Sequence, residues 1–269
     1  MSKIACIQMA SGPNVAANLH EVQRLVQMAV ENGAELVVLP EHFAQMSKDV
    51  EKTRIAEEFG SGPIQAFVAE TAVQHSVWLV AGAMPIRSRQ SKLLRSCSLV
   101  YDSAGQVVAR YDKVHLFDVK VPATDESYHE SEVYESGDQV VVVDTPLGKL
   151  GLSVCYDVRF PELYRLQLQQ GMEIITLPSA FTAVTGKAHW QTLLQARAIE
   201  NQCYLAAAAQ GGFHIHGRET HGHSMIVDPW GVIVDCLPSG SGFVIAEIDR
   251  TRLESTRQNF PAVSHRRLI

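Results

Sequence analysis

Short, unbroken apolar runs constrain this chain most. Residues 36–39 (LVVL), 174–177 (IITL) and 204–209 (YLAAAA) are apolar almost throughout, show no alternation, and are too short for helices. Runs of this kind are strands covered on both faces, so the sheets they form need packing on each side. Helix patterns lie between them. In 14–32, Val15, Leu19, Val22, Leu25, Val26 and Ala29 recur at helical spacing, with Gly33 behind as a C-terminal stop. Residues 63–75, 161–170, 188–201 and 250–259 read as further helices, and 3–9 and 78–83 as strands. Other strands pair as hairpins: 95–101 with 106–111 across Asp102-Ser103-Ala104-Gly105, and 140–145 with 149–155 across Pro146-Leu147-Gly148. Strands 224–227, 232–236 and 243–248 follow through turns at 229–231 and 238–242. Interleaved helices and hairpins predict an α/β fold with two mixed sheets face to face and helices outside. No Ser/Pro/Gly-rich linker interrupts the chain, so one domain over 1–269 is expected, with a C-terminal tail at about 250–269.

Charge and composition exclude several function classes. A net charge of −6 gives no electrostatic basis for binding nucleic acid or an anionic membrane surface. No apolar run reaches membrane-spanning length, and the opening MSKIACIQM suits a first strand better than a secretion signal. Cys6, Cys97, Cys155, Cys203 and Cys236 are odd in number and form no CxxC pair, as expected of free thiols in the cytoplasm.

Three predicted strands end in a reactive side chain: Glu41 after 36–39, Lys113 after 107–111, and Cys155 after 150–154. Strand ends are where α/β sheets build their sites. Cys155 also sits at a corner, in KLGLSVCYDVRFPE, because Pro161 is favoured in the first turn of a following helix. At such a corner the next backbone N–H can point at a substrate oxygen. A carboxylate able to take the thiol proton and an ammonium able to hold an oxyanion would complete an acyl-transfer apparatus. Taken singly, each residue has a plainer reading: Cys155 a buried hydrophobe, Glu41 and Lys113 solvated charges. Spacing alone does not bring them together.

The motifs do. Leu39-Pro40-Glu41, YDKVHLF over 111–117 and GLSVCYDVRFPE over 151–162 stand in the order of the three motifs of the nitrilase superfamily of carbon–nitrogen hydrolases, which the chain resembles from IACIQM to His265-Arg266-Arg267. The resemblance implies a four-layer αββα sandwich with Glu41, Lys113 and Cys155 as a catalytic triad. It further implies Glu130 as a fourth participant and the Tyr156 backbone N–H as an oxyanion donor. It requires no metal or organic cofactor. Homo-oligomers, dimers or larger, are common in the superfamily.

Downstream, PSAF at 178–181, TGKAHW at 185–190, ARAIEN at 196–201 and CYLAAAAQ at 203–210 resemble the branch acting on small-molecule amides of 2-oxo acids. The closest likeness is to members that split the 2-oxo analogue of glutathione, with 2-oxoglutaramate as the alternative substrate. An acyltransferase passing the thioester to an amine is a further alternative. A substrate rich in carboxylates calls for cations, for which Arg159 and Arg218 are candidates, with Phe181 and Trp190 as apolar walls. Asp157, Arg159 and Glu162 could instead form an ion-pair brace at the corner. The histidines of FHIHGRETHGH (His214, His216, His221 and His223) suggest a zinc site by composition. Gly212, Gly217 and Gly222 and the lack of a cysteine pair favour a loop at the pocket rim. Residues 116–139 show little periodicity and read as a long functional loop.

Overall fold

Adjacent residues of one strand enter two different cores, and this sets the architecture. The computed structural model describes residues 2–47, 49–122 and 126–268. In strand Lys3–Gln8, Ile4 and Cys6 face the second sheet, whereas Ala5 and Ile7 pack against helices; in Ala34–Val38, Leu36 and Val38 face inward and Val37 outward. All seven are fully buried. Burial of a Val, Leu or Ile side chain is worth about 1.5–3 kcal/mol, so a strand buried on both faces needs its unbroken apolar run.

The first sheet runs Gly242–Glu247, Lys3–Gln8, Ala34–Val38, Trp78–Arg87, Leu94–Tyr101, Val107–Asp112; its second to fourth strands are parallel and the others antiparallel. The second runs Ile233–Leu237, Ser224–Val227, Tyr204–Ala207, Ile174–Thr176, Gly148–Leu152, Val142–Thr145, again with three parallel strands flanked by antiparallel ones. Helices Val15–Glu31 and Pro63–His75 cover the first sheet through Val22, Leu25, Val26, Ile64 and Val68. Pro161–Gln169 and Ala183–Asn201 cover the second through Leu163, Tyr164, Trp190, Leu194 and Ala198. The layers are therefore αββα, with both sheets mixed, as the sequence predicts.

Two segments differ from expectation. The helix expected from residue 188 begins at Ala183, because the Thr182 hydroxyl caps it by accepting the Thr185 N–H at 3.4 Å. The stretch 116–139 is not featureless: Asp118–Lys120 and Ser127–His129 pair as a hairpin leading into a helical turn at Glu130–Glu132. Its residues 123–125 lie outside the described residues. No helix is long and apolar enough to cross a membrane among the described residues. The C-terminal helix Arg250–Asn259 is tied down by Leu253, which is buried, and by Arg257, which donates to the carbonyls of Gln202 and Met172.

Candidate active site

Two chain reversals bring Glu41 and Lys113 to one end of the first sheet. Val107–Asp112 is antiparallel to Leu94–Tyr101, which is antiparallel to Trp78–Arg87, so its C-terminal end lies on the same side as that of Ala34–Val38. Backbone bonds then fix both residues. Leu39 and His42 donate to the carbonyls of Val80 and Ala83, bracketing Glu41. Gly82 lies beneath this bracket, where an added Cβ would stand 2.0 Å from the Pro40 oxygen. Only glycine allows so close an approach. Lys113 donates its N–H to Ser96 and its carbonyl accepts from Gly137, another position where a Cβ would collide, 2.1 Å from the Asp112 oxygen.

Cys155 follows Gly148–Leu152 in the second sheet and turns with φ +48°. A non-glycine residue in the left-handed region is strained, and such strain persists only where surrounding bonds enforce it. Here the Cys155 N–H donates to the Pro178 carbonyl at 2.9 Å, docking the corner onto the end of the neighbouring strand. Asp157, fully buried, supplies the second constraint. Its carboxylate accepts from the Val154 N–H at 2.8 Å, the Tyr111 hydroxyl at 2.7 Å, and the N–H and Nδ1 of His115 at 3.1 and 2.7 Å. One side chain thus rivets the residue before Cys155 to the residues on either side of Lys113. The corner is braced by these hydrogen bonds rather than by an ion pair with Arg159.

The charged centre is buried. Lys113 and Glu41 are each 2 % exposed, and Cys155 and Glu130 each 8 %. The Lys113 ammonium donates to Glu41 at 3.1 Å and to both oxygens of Glu130 at 3.0 and 2.8 Å, while the Phe117 N–H donates to Glu130 at 2.7 Å. Burial alone would lower the Lys113 pKa, but Glu130, then Glu41 and Cys155, outweigh it and hold the ammonium well above the ordinary lysine value. Burial pushes the Glu130 carboxyl up, and Lys113 opposes that rise. Burial, then the Glu41 charge, pushes the Cys155 thiol far above the usual cysteine value. Cys155 therefore rests as a thiol and needs a base to become a nucleophile.

These groups share the wall of one pocket. Tyr156, Arg159, Phe181 and Arg218 also line it, as the sequence suggests, whereas Trp190 does not. Trp190 is fully buried in the core, its Nε1 donating to the His223 carbonyl, and it backs Phe181 from behind with ring centroids 4.9 Å apart. Arg159 lies over the rings of Phe181 and Tyr156 at 5.2 and 5.8 Å and donates to His189. Arg218 lies over Tyr128 at 5.0 Å and donates to the Ala180 carbonyl, and its Nε is buried without a partner. Among the described residues, neither guanidinium pairs with a carboxylate. The pocket thus offers two unneutralised cations beyond Lys113.

The histidine-rich segment is a hairpin of Gly211–Phe213 and Glu219–His221 that carries Arg218 to the pocket rim. His214 bonds to the Ser11 carbonyl and Thr220, and His221 stacks on His223 at 4.1 Å. The side chain of His216 lies outside the described residues. Among those described, no three His, Cys, Asp or Glu are grouped to hold a metal.

Sequence reasoning misses His42, Phe117, Tyr128, Thr182 and Thr185, all of which line the pocket. It also misses Gln210, whose Nε2 donates to the Glu41 carbonyl. His42 and Phe117 lie within or beside the three motifs, and Thr182, Thr185 and Gln210 within or beside the downstream segments, a signal that could have raised them; Tyr128 is placed only by tertiary structure.

The carbon–nitrogen hydrolase family model matches residues 3–258. A protein of Yersinia enterocolitica named deaminated glutathione amidase is 42% identical over 269 residues, covering 100% of this chain and 94% of that one. A Synechocystis protein of the same name is 46% identical over 266 residues, covering 97% of each. The crystal structure of the C. elegans NitFhit protein superposes with a TM-score of 0.92 at 39% identity; the match covers 99% of this chain and 65% of that one, so this chain spans about two thirds of NitFhit.

Proposed function

The chain belongs to the carbon–nitrogen hydrolase family and is an amidase, and from that premise we propose that it hydrolyses deaminated glutathione to 2-oxoglutarate and cysteinylglycine through a thioester on Cys155. The observation that carries this reading is the convergence of Glu41, Lys113, Glu130 and Cys155, distant in sequence, on one buried pocket wall.

Glu41 accepts the thiol proton as Cys155 attacks the amide carbonyl. Lys113 and the Tyr156 N–H, which lies in the first turn after the corner where helical N–H groups lack intrahelical partners, hold the oxyanion. Glu41 then gives its proton to the departing amine, so that the C–N bond breaks and the acyl group remains on sulfur. A water molecule deprotonated by Glu41 attacks the thioester, and the thiol is restored. Glu130 positions Lys113. No step requires a metal or cofactor.

Arg159 and Arg218 support the larger substrate. Deaminated glutathione carries a carboxylate at each end, whereas 2-oxoglutaramate carries one. Two unneutralised guanidiniums suit the former, since guanidinium binds carboxylate through paired, charge-assisted hydrogen bonds. Phe181 packs against the chain between them.

The test follows 2-oxoglutarate release from deaminated glutathione and from 2-oxoglutaramate, by the wild type and by Cys155→Ser. A higher kcat/KM for deaminated glutathione, abolished by the substitution, is expected. Preference for 2-oxoglutaramate would keep the mechanism and replace the substrate. We further infer one domain over the whole chain, a cytoplasmic location suited to its five free cysteines, and a homo-oligomer of two or more copies. Leu166 and Ile199, exposed on the helices outside the second sheet, support an oligomer.

A further inference from the structure

Next to the base stands a histidine that the mechanism does not use. His42 follows Glu41 with φ +60°, a left-handed conformation enforced by its N–H bond to the Ala83 carbonyl. Its ring is buried and borders the pocket. Its Nε2 lies 3.1 Å from the Nζ of Lys52, a lysine only 1 % exposed. An ammonium has donors and no acceptor, so Nε2 must accept, and the ring proton is confined to Nδ1. Nδ1 makes no hydrogen bond with any described residue. The sequence does not reveal this pairing, because Lys52 sits in a short helix ten residues on, in a charge-rich stretch that looks solvated.

We propose that His42 determines specificity for the 2-oxo acid end of the substrate, its Nδ1–H donating to the ketone oxygen while Lys52 holds the ring in the required tautomer. The inference rests on the substrate reading above. A neutral N–H suits a neutral ketone, whereas the carboxylate beside it calls for a guanidinium, and Arg218 lines the same pocket. Burial, then the charges of Lys52, Arg218 and Lys113, hold the His42 pKa well below the ordinary histidine value, so the ring stays neutral. The arrangement also rejects the parent compound. Glutathione carries an ammonium where the substrate carries the ketone, and that ammonium would meet an N–H donor backed by the Lys52 charge. The selectivity thus combines an attraction and a repulsion.

The test compares deaminated glutathione with its glutaryl analogue, in which a methylene replaces the ketone. In the wild type the ketone substrate is favoured in kcat/KM. His42→Met removes the donor and is expected to reduce that preference about 10- to 100-fold, with its melting curve reporting whether the fold is intact. His42→Gln, which keeps an N–H donor in the same backbone conformation, restores part of the preference. A preference undiminished in His42→Met overturns the assignment while leaving the substrate reading in place. A wild type that does not favour the ketone overturns both. If His42→Met loses both activities, Lys52→Met decides: it keeps the imidazole but frees its tautomer, and an unchanged preference there also overturns the assignment.

Discussion

Glu130 accepts from Lys113 and the Phe117 N–H, and its contribution can be worked from the geometry around Lys113. The ammonium has three protons and three contacts, two to Glu130 and one to Glu41. In Glu130→Gln the side chain keeps its shape and can still accept from the Phe117 N–H. It loses its charge, however, and its NH₂ turns toward an ammonium that has only donors. Glu41 is then the sole anion next to Lys113, which swings toward it and away from the oxyanion position. Loss of one hydrogen bond involving a charged group costs about 1.5–3 kcal/mol, or about 10- to 150-fold in rate. If Glu130 acts only through Lys113, kcat falls and KM stays. The assay is steady-state release of 2-oxoglutarate, well below the melting temperature of the variant. A kcat within a factor of two of wild type in a folded variant would refute the reasoning, because Lys113 would then be held equally well without its main partner. A raised KM at constant kcat would refute it differently, by placing Glu130 on the substrate.

Three other perturbations separate the parts. Asp157→Asn puts an amide among four donors and should cost about 3 kcal/mol; a melting temperature lowered by about 5–10 °C with reduced kcat is expected, and an unchanged melting curve would show that the rivet carries no strain-holding load. Arg218→Ala should raise KM for deaminated glutathione about 10- to 100-fold while leaving a small uncharged amide unaffected, and equal Michaelis constants for all substrates would remove Arg218 from recognition. The His221 pKa is lowered to about 4 by burial, then by His223, so between pH 6.5 and 4 the unfolded chain binds more protons and stability rises with pH. His42 and His214 are shifted the same way. The melting temperature should therefore fall as pH drops through that window, with a shallower fall in His221→Asn; an identical slope in the variant would assign the effect elsewhere.

Layering and the three reactive strand ends were legible because they rest on local patterns. An apolar run such as 36–39 must be covered on both faces wherever it lies, and a motif names its residue directly. What was not legible depends on where chain segments meet. Arg159 sits two residues from Asp157 and four from Cys155, and sequence order invites pairing it with the acid; the helical turn Cys155–Arg159 instead sends Asp157 into the core and Arg159 over Phe181. Trp190 reads as a pocket wall beside Phe181, yet the helix starting at Ala183 turns it into the core. Gly82 and Gly137 look like ordinary strand and loop glycines until the carbonyls of Pro40 and Asp112 press on them.

His42 is the sharpest case. Its neighbour Glu41 belongs to a motif, while its own meaning depends on a lysine whose burial no pattern announces and on a positive φ that only hydrogen bonding to Ala83 sustains. A triad needs the same three groups for any amide, so it repeats as a motif. Selectivity among amides needs groups matched to one substrate, so it is built from contacts such as the Lys52–His42 pair and the unpartnered Arg218 Nε, which leave no recurrent spacing in the chain. The reaction class could therefore be read from the motifs at the strand ends and the substrate branch from the downstream segments, whereas the contacts that select the substrate had to be found in the pocket.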